Sequence, residues 1–242
     1  MNGLHGKPAF SIEGILLILM LGAGLSPLFF INMGNSFGWG DDFAQYIHQS
    51  VNMLTGQSQM ETRYVYNPAF AMLGPPAYPP GFPLLLVPVS FLSSAYPVDY
   101  VAYMSLWAVA FACLSFGFLN HYFSNFSAFL LMLVLIYNPG MLFFKREVMA
   151  DLPFAVFFLS VIIAGNAPQS RTRIVMVGLL AGCAMLLKAQ GWIFPLVFII
   201  SEGRRIGIAC FSNKCMRTKQ IGGGLIPAIV IMLSVWFVVQ YI

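Results

Sequence analysis

Charged side chains are scarce in this chain of 242 residues, of which only 8% are Asp, Glu, Lys or Arg. A soluble domain carries about 25% charged residues, so this chain lacks the groups that cover a water-facing surface. Hydrophobic residues make up 59% of the chain, and several apolar runs are long enough to cross a bilayer. We therefore expect an all-α, multi-pass integral membrane protein.

Cysteine is also sparse. Cys113 and Cys183 lie inside apolar runs, where a thiol behaves as a small hydrophobic group. Cys210 and Cys215 are not followed by a second pair or by a nearby histidine, whereas a structural zinc site needs about four ligands. Aromatic residues do not alternate with a basic groove, so nucleic acid is excluded as a partner.

Apolar runs predict about seven transmembrane helices in a single domain, residues 1–242. The predicted spans lie at 12–31, 98–119, 126–144, 152–164, 174–200 and 221–242. The run 174–200 is either one long helix or two short spans that turn at Lys188. A lysine at the bilayer centre costs roughly 2.5–3.5 kcal/mol, which favours two spans. In the third span, Asn138-Pro139-Gly140 predicts a kink.

The distribution of basic residues orients these spans. With the N-terminus in the cytoplasm, eight Lys and Arg residues fall inside, five of them in the loop 202–220, and four fall outside. This agrees with the positive-inside rule, and a bacterial cytoplasmic membrane is the expected location. Six acids fall on the outer side: Asp41, Asp42, Glu61, Asp99, Glu147 and Asp151. Topology does not require these acids, so their clustering predicts an active surface there.

The first outer loop, residues 32–95, is the long polar interval of the chain. Phe43, Ile47, Val51 and Leu54 share one helical face, which predicts an interfacial helix that begins near Asp41 and stops at Gly56. The apolar segment 82–92 is too short to span and contains two prolines, so we expect a re-entrant or surface-lying helix.

Four segments of the chain, in order, resemble the GT-C glycosyltransferases, which include protein O-mannosyltransferases and lipid A aminoarabinose transferases. Residues 40–46 (GDDFAQY) resemble the Asp-Glu motif after the first span, and residues 78–86 (YPPGFPLLL) resemble a Y/H-P-P-x-x-P-L-L-L segment. Residues 146–154 (REVMADLPF) are similar to R-x-x-M-S-E-x-P-F, and residues 178–191 are similar to G-L-L-x-G followed by T-R/K-P-x-G. Asp42 and Asp151 stand where the family usually has Glu.

This resemblance implies inverting transfer of a sugar from a polyprenyl-phosphate carrier to a lipid, glycan or protein acceptor on the outer face. It implies that Asp41 is the catalytic base and that Asp42 supports it or helps to bind a divalent metal. It also implies a set of substrate-binding residues: Tyr78, Pro79, Pro80, Lys145, Arg146, Asp151 and Lys188. A carboxylate can take the acceptor's proton, and cations can stabilise the departing phosphate.

Other interpretations remain open at this level. Asp41 and Asp151 are also good helix caps, and the lysines and arginines near span ends can extend to the interface without a ligand. The chain is shorter than the usual members of the family and stops inside an apolar run, which is also expected of a truncated, non-catalytic member. A transporter or flippase for a lipid-linked sugar is a third class, although the internal repeats typical of transporters are absent.

Overall fold

The computed structural model describes residues 12–34, 42–58, 77–93, 97–166 and 170–197, together with Val230 and Leu233. Every regular element in these ranges is helical, which confirms the all-α class. The α-helices are α1 (Ile12–Leu25), α2 (Asp42–Thr55), α3 (Gly81–Leu92), α4 (Pro97–Leu119), α5 (Asn125–Ile136), α6 (Pro139–Arg146), α7 (Asp151–Asn166) and α8 (Arg171–Leu187). Two short 3-10 helices, Ser26–Phe29 and Ala189–Trp192, follow α1 and α8.

Two helical segments within the described ranges are long and apolar enough to cross a membrane. They are Ile12–Phe29, with 18 residues, and Pro97–Leu119, with 23 residues. A third span exists if α5 and α6, which are bent by 61° at their junction, cross together. The expected number of about seven is not supported, because α3, α7 and α8 have 12, 16 and 17 residues and a spanning helix needs about 20. The expected last span, 221–242, lies outside the described residues except for Val230 and Leu233.

The bend between α5 and α6 has a local cause. Asn138 leaves the helical conformation, and its side-chain oxygen accepts a hydrogen bond from the backbone N–H of Met141 at 3.0 Å. Pro139 follows at the first position of α6, where its missing N–H costs no helical hydrogen bond. The kink predicted at this tripeptide is therefore confirmed.

The helices after α3 alternate in direction, which gathers their polar ends. Lys145 near the end of α6 reaches Ser105 in the first half of α4, and Lys188 after α8 pairs with Asp151 at the start of α7. The start of α4, the α6–α7 junction and the end of α8 consequently lie at one end of the bundle, called here the polar end. It carries Asp99, Glu147, Asp151 and Lys188.

Small residues allow α4 to sit at the centre of the bundle. Ala108, Ala112 and Ser115 follow one face of this helix and are buried, so neighbouring backbones can approach closely. Large apolar side chains face outward elsewhere: Phe91 is 76% exposed and Val134 is 72% exposed. Extensive apolar exposure of this kind fits a surface that lipid covers.

The amphipathic helix α2 is present, and it turns its polar face inward. It ends at Thr55, and Gly56 follows with a φ of +67°, which confirms the predicted stop. Gln45, Gln49 and Asn52 are buried, whereas Val51 on the apolar face is 40% exposed. The polar side chains of α2 therefore serve contacts within the protein.

Candidate functional site

Asp42 begins α2 and binds the loop that leads into α3. The phenol of Tyr78 donates a hydrogen bond to Asp42 Oδ1 at 2.5 Å, across 36 positions of sequence. Asp41, the expected base, lies outside the described residues. The structure thus brings together one residue from each of the first two segments that carry the family resemblance.

Gln49 fixes the backbone of Tyr78. Its side-chain N–H donates to the Tyr78 carbonyl at 3.1 Å, and its side-chain oxygen accepts from the Tyr78 N–H at 3.1 Å. Gln49 is completely buried. Sequence reasoning missed this residue, although it lies seven positions after Asp42, two helical turns along the same face.

The ring of Tyr46 packs in the contact between α2 and α3. Its ring centroid lies 4.6 Å from that of Tyr78 and 4.8 Å from that of Phe82. Burial raises the pKa of the Tyr46 phenol, and the neighbouring Tyr78 phenol and the carboxylates of Asp42 and Asp151 raise it further. The negative charges of Asp42 and Asp151 thus both act at the Tyr46 phenol.

Asp151 and Lys188 form an ion pair at the polar end. Lys188 Nζ lies 2.6 Å from Asp151 Oδ1, and their side chains are 23% and 30% exposed. Asp151 starts α7, and Lys188 directly follows the last residue of α8. The chain leaves the helix at Lys188, as the preferred two-span alternative required, although α8 is too short to count as a span. Part of the Lys188 side chain remains exposed.

Two glycines allow close packing around Lys188. A Cβ atom on Gly81 would lie 2.7 Å from the backbone of Leu186, so the start of α3 rests directly on the end of α8. A Cβ atom on Gly191 would lie 2.5 Å from the Cα of Met185. Pro80, which precedes Gly81, is buried, and Pro79 is half-buried. The Tyr78-Pro79-Pro80 corner is therefore held between α2 and α8.

Lys145 and Arg146 lie at the end of α6, against the chain that leaves α1. Lys145 is fully buried, and its ammonium donates to the Leu28 carbonyl at 2.8 Å and to Ser105 Oγ at 3.2 Å. Arg146 is half-buried and lies over Gly34, where an added Cβ atom would be 3.2 Å from the guanidinium. Within the described ranges, Lys145 thus contacts the first span and α4, and a ligand cannot reach it without a rearrangement.

Glu147 follows these cations and is also buried. Burial raises the pKa of its carboxyl group, and the positive charge of Arg146 partly offsets that rise. Among the described residues, no group of three or more His, Cys, Asp or Glu side chains could hold a metal ion.

The arrangement that emerges joins Asp42, Tyr46, Tyr78, Asp151 and Lys188; we call it the carboxylate cluster. Comparisons with models of protein families, with curated proteins and with solved structures returned no match. The function therefore has to be inferred from the residues and their geometry. The cluster offers hydrogen-bonded carboxylates and one accessible cation, in a setting bounded by aromatic rings.

Proposed function

We propose that the protein is a membrane glycosyltransferase of the GT-C type. It transfers a sugar from a polyprenyl-phosphate donor to an acceptor on the outer face of the membrane, with inversion at the anomeric carbon. The observation that carries this proposal is the carboxylate cluster. Each of the four segments that resemble the family contributes one residue to it: Asp42, Tyr78, Asp151 and Lys188.

The chemistry assigns a role to each group. Asp41 takes the proton of the acceptor hydroxyl, whose oxygen then forms a bond to the anomeric carbon as the bond from that carbon to the phosphate breaks. The polyprenyl phosphate leaves with the bonding electron pair, and a cation stabilises the added negative charge. Asp42, held by Tyr78, fixes the start of α2, directly after Asp41 in the sequence.

The accessible cations are the candidate phosphate ligands. Lys188 keeps part of its surface exposed while it is paired with Asp151, and Arg146 is half-buried at the same end of the bundle. Lys145 is buried against Leu28 and Ser105, so it is not a direct phosphate ligand in this arrangement. The aliphatic donor chain would remain in the bilayer, since the exposed sides of the helices are apolar.

A panel of donors tests the proposal. Purified protein is incubated with polyprenyl phosphates that carry different hexoses or pentoses, and with lipid, glycan and peptide acceptors; transfer and free polyprenyl phosphate are measured. We expect transfer from at least one donor and its loss in Asp41→Asn, with unchanged expression and membrane insertion. Glu13→Gln, which removes an exposed carboxylate at the start of α1, is the matched control and keeps wild-type activity.

The outcomes separate the alternatives. Full transfer by Asp41→Asn would contradict the assignment of the base. Movement of intact donor across a vesicle membrane, without cleavage of the sugar–phosphate bond, would identify a flippase instead. Neither transfer nor movement with any donor would be the result expected of a non-catalytic member and would contradict the proposal.

A further inference from the structure

An open groove lies between the end of α3, the start of α4 and the 3-10 helix after α1. Its volume is about 540 Å³, within the range of roughly 300–1,000 Å³ that small-molecule sites occupy. The walls are apolar side chains, principally those of Phe29, Val89, Leu92, Ala102 and Leu106. None of the residues of the carboxylate cluster lines this groove.

Among the described residues that line the groove, Asp99 alone carries a formal charge. Ser93 Oγ donates to Asp99 Oδ2 at 2.6 Å, and the other carboxylate oxygen has capacity for further donors. The hydroxyl of Tyr103, the other polar side chain along the wall, donates to the Leu85 carbonyl at 2.6 Å. A matching ligand therefore has an apolar body and one cationic end that donates hydrogen bonds to Asp99.

The position along α4 specifies the kind of molecule. Asp99 lies in the first turn of a helix long enough to cross a membrane. The ends of a spanning helix meet the lipid headgroups, so α4 in a spanning orientation places Asp99 at that level. Leu106, at the far end of the groove, is seven residues further along α4, about 10 Å deeper at 1.5 Å per residue. A lipid that places its headgroup at Asp99 would lay its acyl chain along Ala102 and Leu106.

We propose that this groove binds a phospholipid with a primary ammonium headgroup, with the ammonium at Asp99. A lipid whose headgroup carries only negative charge would be repelled by the same carboxylate, so the groove is a poor site for a polyprenyl phosphate. A second, smaller hydrophobic core lies between α7 and α8, and Leu233 packs against it. None of the buried residues of that core lines the groove. This site is independent of the sugar-transfer proposal.

Competition between two lipids tests the site. Delipidated protein is mixed with equal amounts of phosphatidylethanolamine and phosphatidylglycerol with identical acyl chains, and bound lipid is counted by native mass spectrometry. We expect a roughly fivefold excess of phosphatidylethanolamine, as one partly exposed ion pair supplies. Asp99→Asn should abolish this excess, while the control Glu13→Gln should keep it.

A second variant addresses the apolar part of the groove. Ala102→Trp fills the groove below Asp99 and should lower the occupancy of both lipids. This test does not depend on whether Asp99→Asn folds. Equal binding of the two lipids by wild-type protein would overturn the proposal. So would a preference that survives in folded Asp99→Asn, or wild-type occupancy in Ala102→Trp.

Discussion

At the scale of single residues, the carboxylate cluster depends on side chains that hold other side chains. Gln49 fixes the backbone of Tyr78 through two hydrogen bonds, and the Tyr78 phenol in turn holds Asp42. Since Gln49 is buried, each of its hydrogen bonds would leave an unpaired polar group if broken, at a cost of about 1–3 kcal/mol. The direction of the Asp42 carboxylate therefore depends both on α2 and on the loop before α3.

The Tyr78–Asp42 hydrogen bond gives the first prediction. Tyr78→Phe removes the donor and keeps the ring that packs on Tyr46, so the free energy of unfolding should fall by about 1 kcal/mol. In the Asp42→Asn background the same change should cost clearly less, because the charged acceptor is already gone. Chemical unfolding of the four proteins in detergent measures this coupling. Additive effects of the two substitutions would mean that the hydrogen bond does not stabilise the fold.

The Asp151–Lys188 pair gives the second prediction, which separates stability from activity. Lys188→Met and Asp151→Asn should each lower the free energy of unfolding by up to about 1 kcal/mol, because both groups are partly exposed. The double variant leaves no unpaired charge and should be nearly as stable as the better single variant. Sugar transfer should still fall in the double variant, since the phosphate loses the Lys188 ammonium.

Wild-type transfer by that double variant would show that Lys188 is a structural residue only. Thermal unfolding and donor turnover, measured on the same preparations, distinguish the two roles.

At the scale of helices, close contact between the start of α3 and the end of α8 joins the two halves of the cluster. Gly81 is the contact point, with no room for a side chain beside the backbone of Leu186. A Cβ atom here must push apart two backbones, which yield less readily than side chains. The distance between Tyr78 and Lys188 is therefore sensitive to this one position.

The third prediction follows from that contact. Gly81→Ala should lower the free energy of unfolding by about 1–3 kcal/mol through overpacking. Gly117→Ala, inside α4, is the matched control, because a Cβ atom there meets no atom within 4 Å, and it should be neutral or slightly stabilising. Unfolding in detergent measures both. Equal stabilities of the two variants would contradict the close packing of α3 on α8.

The ends, kinks and breaks of helices were predictable from the sequence, whereas the burial of polar helix faces was not. The stop at Gly56, the kink at Asn138-Pro139 and the break at Lys188 all follow from local chemistry, since glycine, proline and a membrane-level lysine each disfavour a continuing helix. The inward polar face of α2 was not predictable, because only the tertiary partner Tyr78 explains why Gln49 is buried. Hydropathy likewise detected the apolar runs but overstated how many are long enough to cross a bilayer.

At the scale of the whole molecule, the polar end is the surface where function is expected. Alternating helices bring Asp151 and Lys188 to this end, and the contacts of Lys145 with Leu28 bring the end of the first span there. The turn between α4 and α5 lies at the opposite end of α4. Activity outside the cell requires that the polar end face outward.

The fourth prediction tests this orientation. Gln57→Cys, in the exposed chain after α2, should react with a membrane-impermeant maleimide in intact cells when the native cysteines are replaced. Tyr122 lies at the α4–α5 turn and is 61% exposed. Tyr122→Cys should react only after permeabilisation. The reverse pattern would place the carboxylate cluster in the cytoplasm and contradict action on the outer face.

The most direct measurement of the central claim is a single turnover of the donor by wild-type protein and by Asp41→Asn. A polyprenyl phosphate with a labelled sugar of known anomeric configuration is supplied at a stoichiometric amount, and the product is analysed by NMR. We expect one free polyprenyl phosphate per transferred sugar, an inverted anomeric centre, and intact donor with Asp41→Asn. Intact donor with the wild-type protein, or a product of retained configuration, would contradict it.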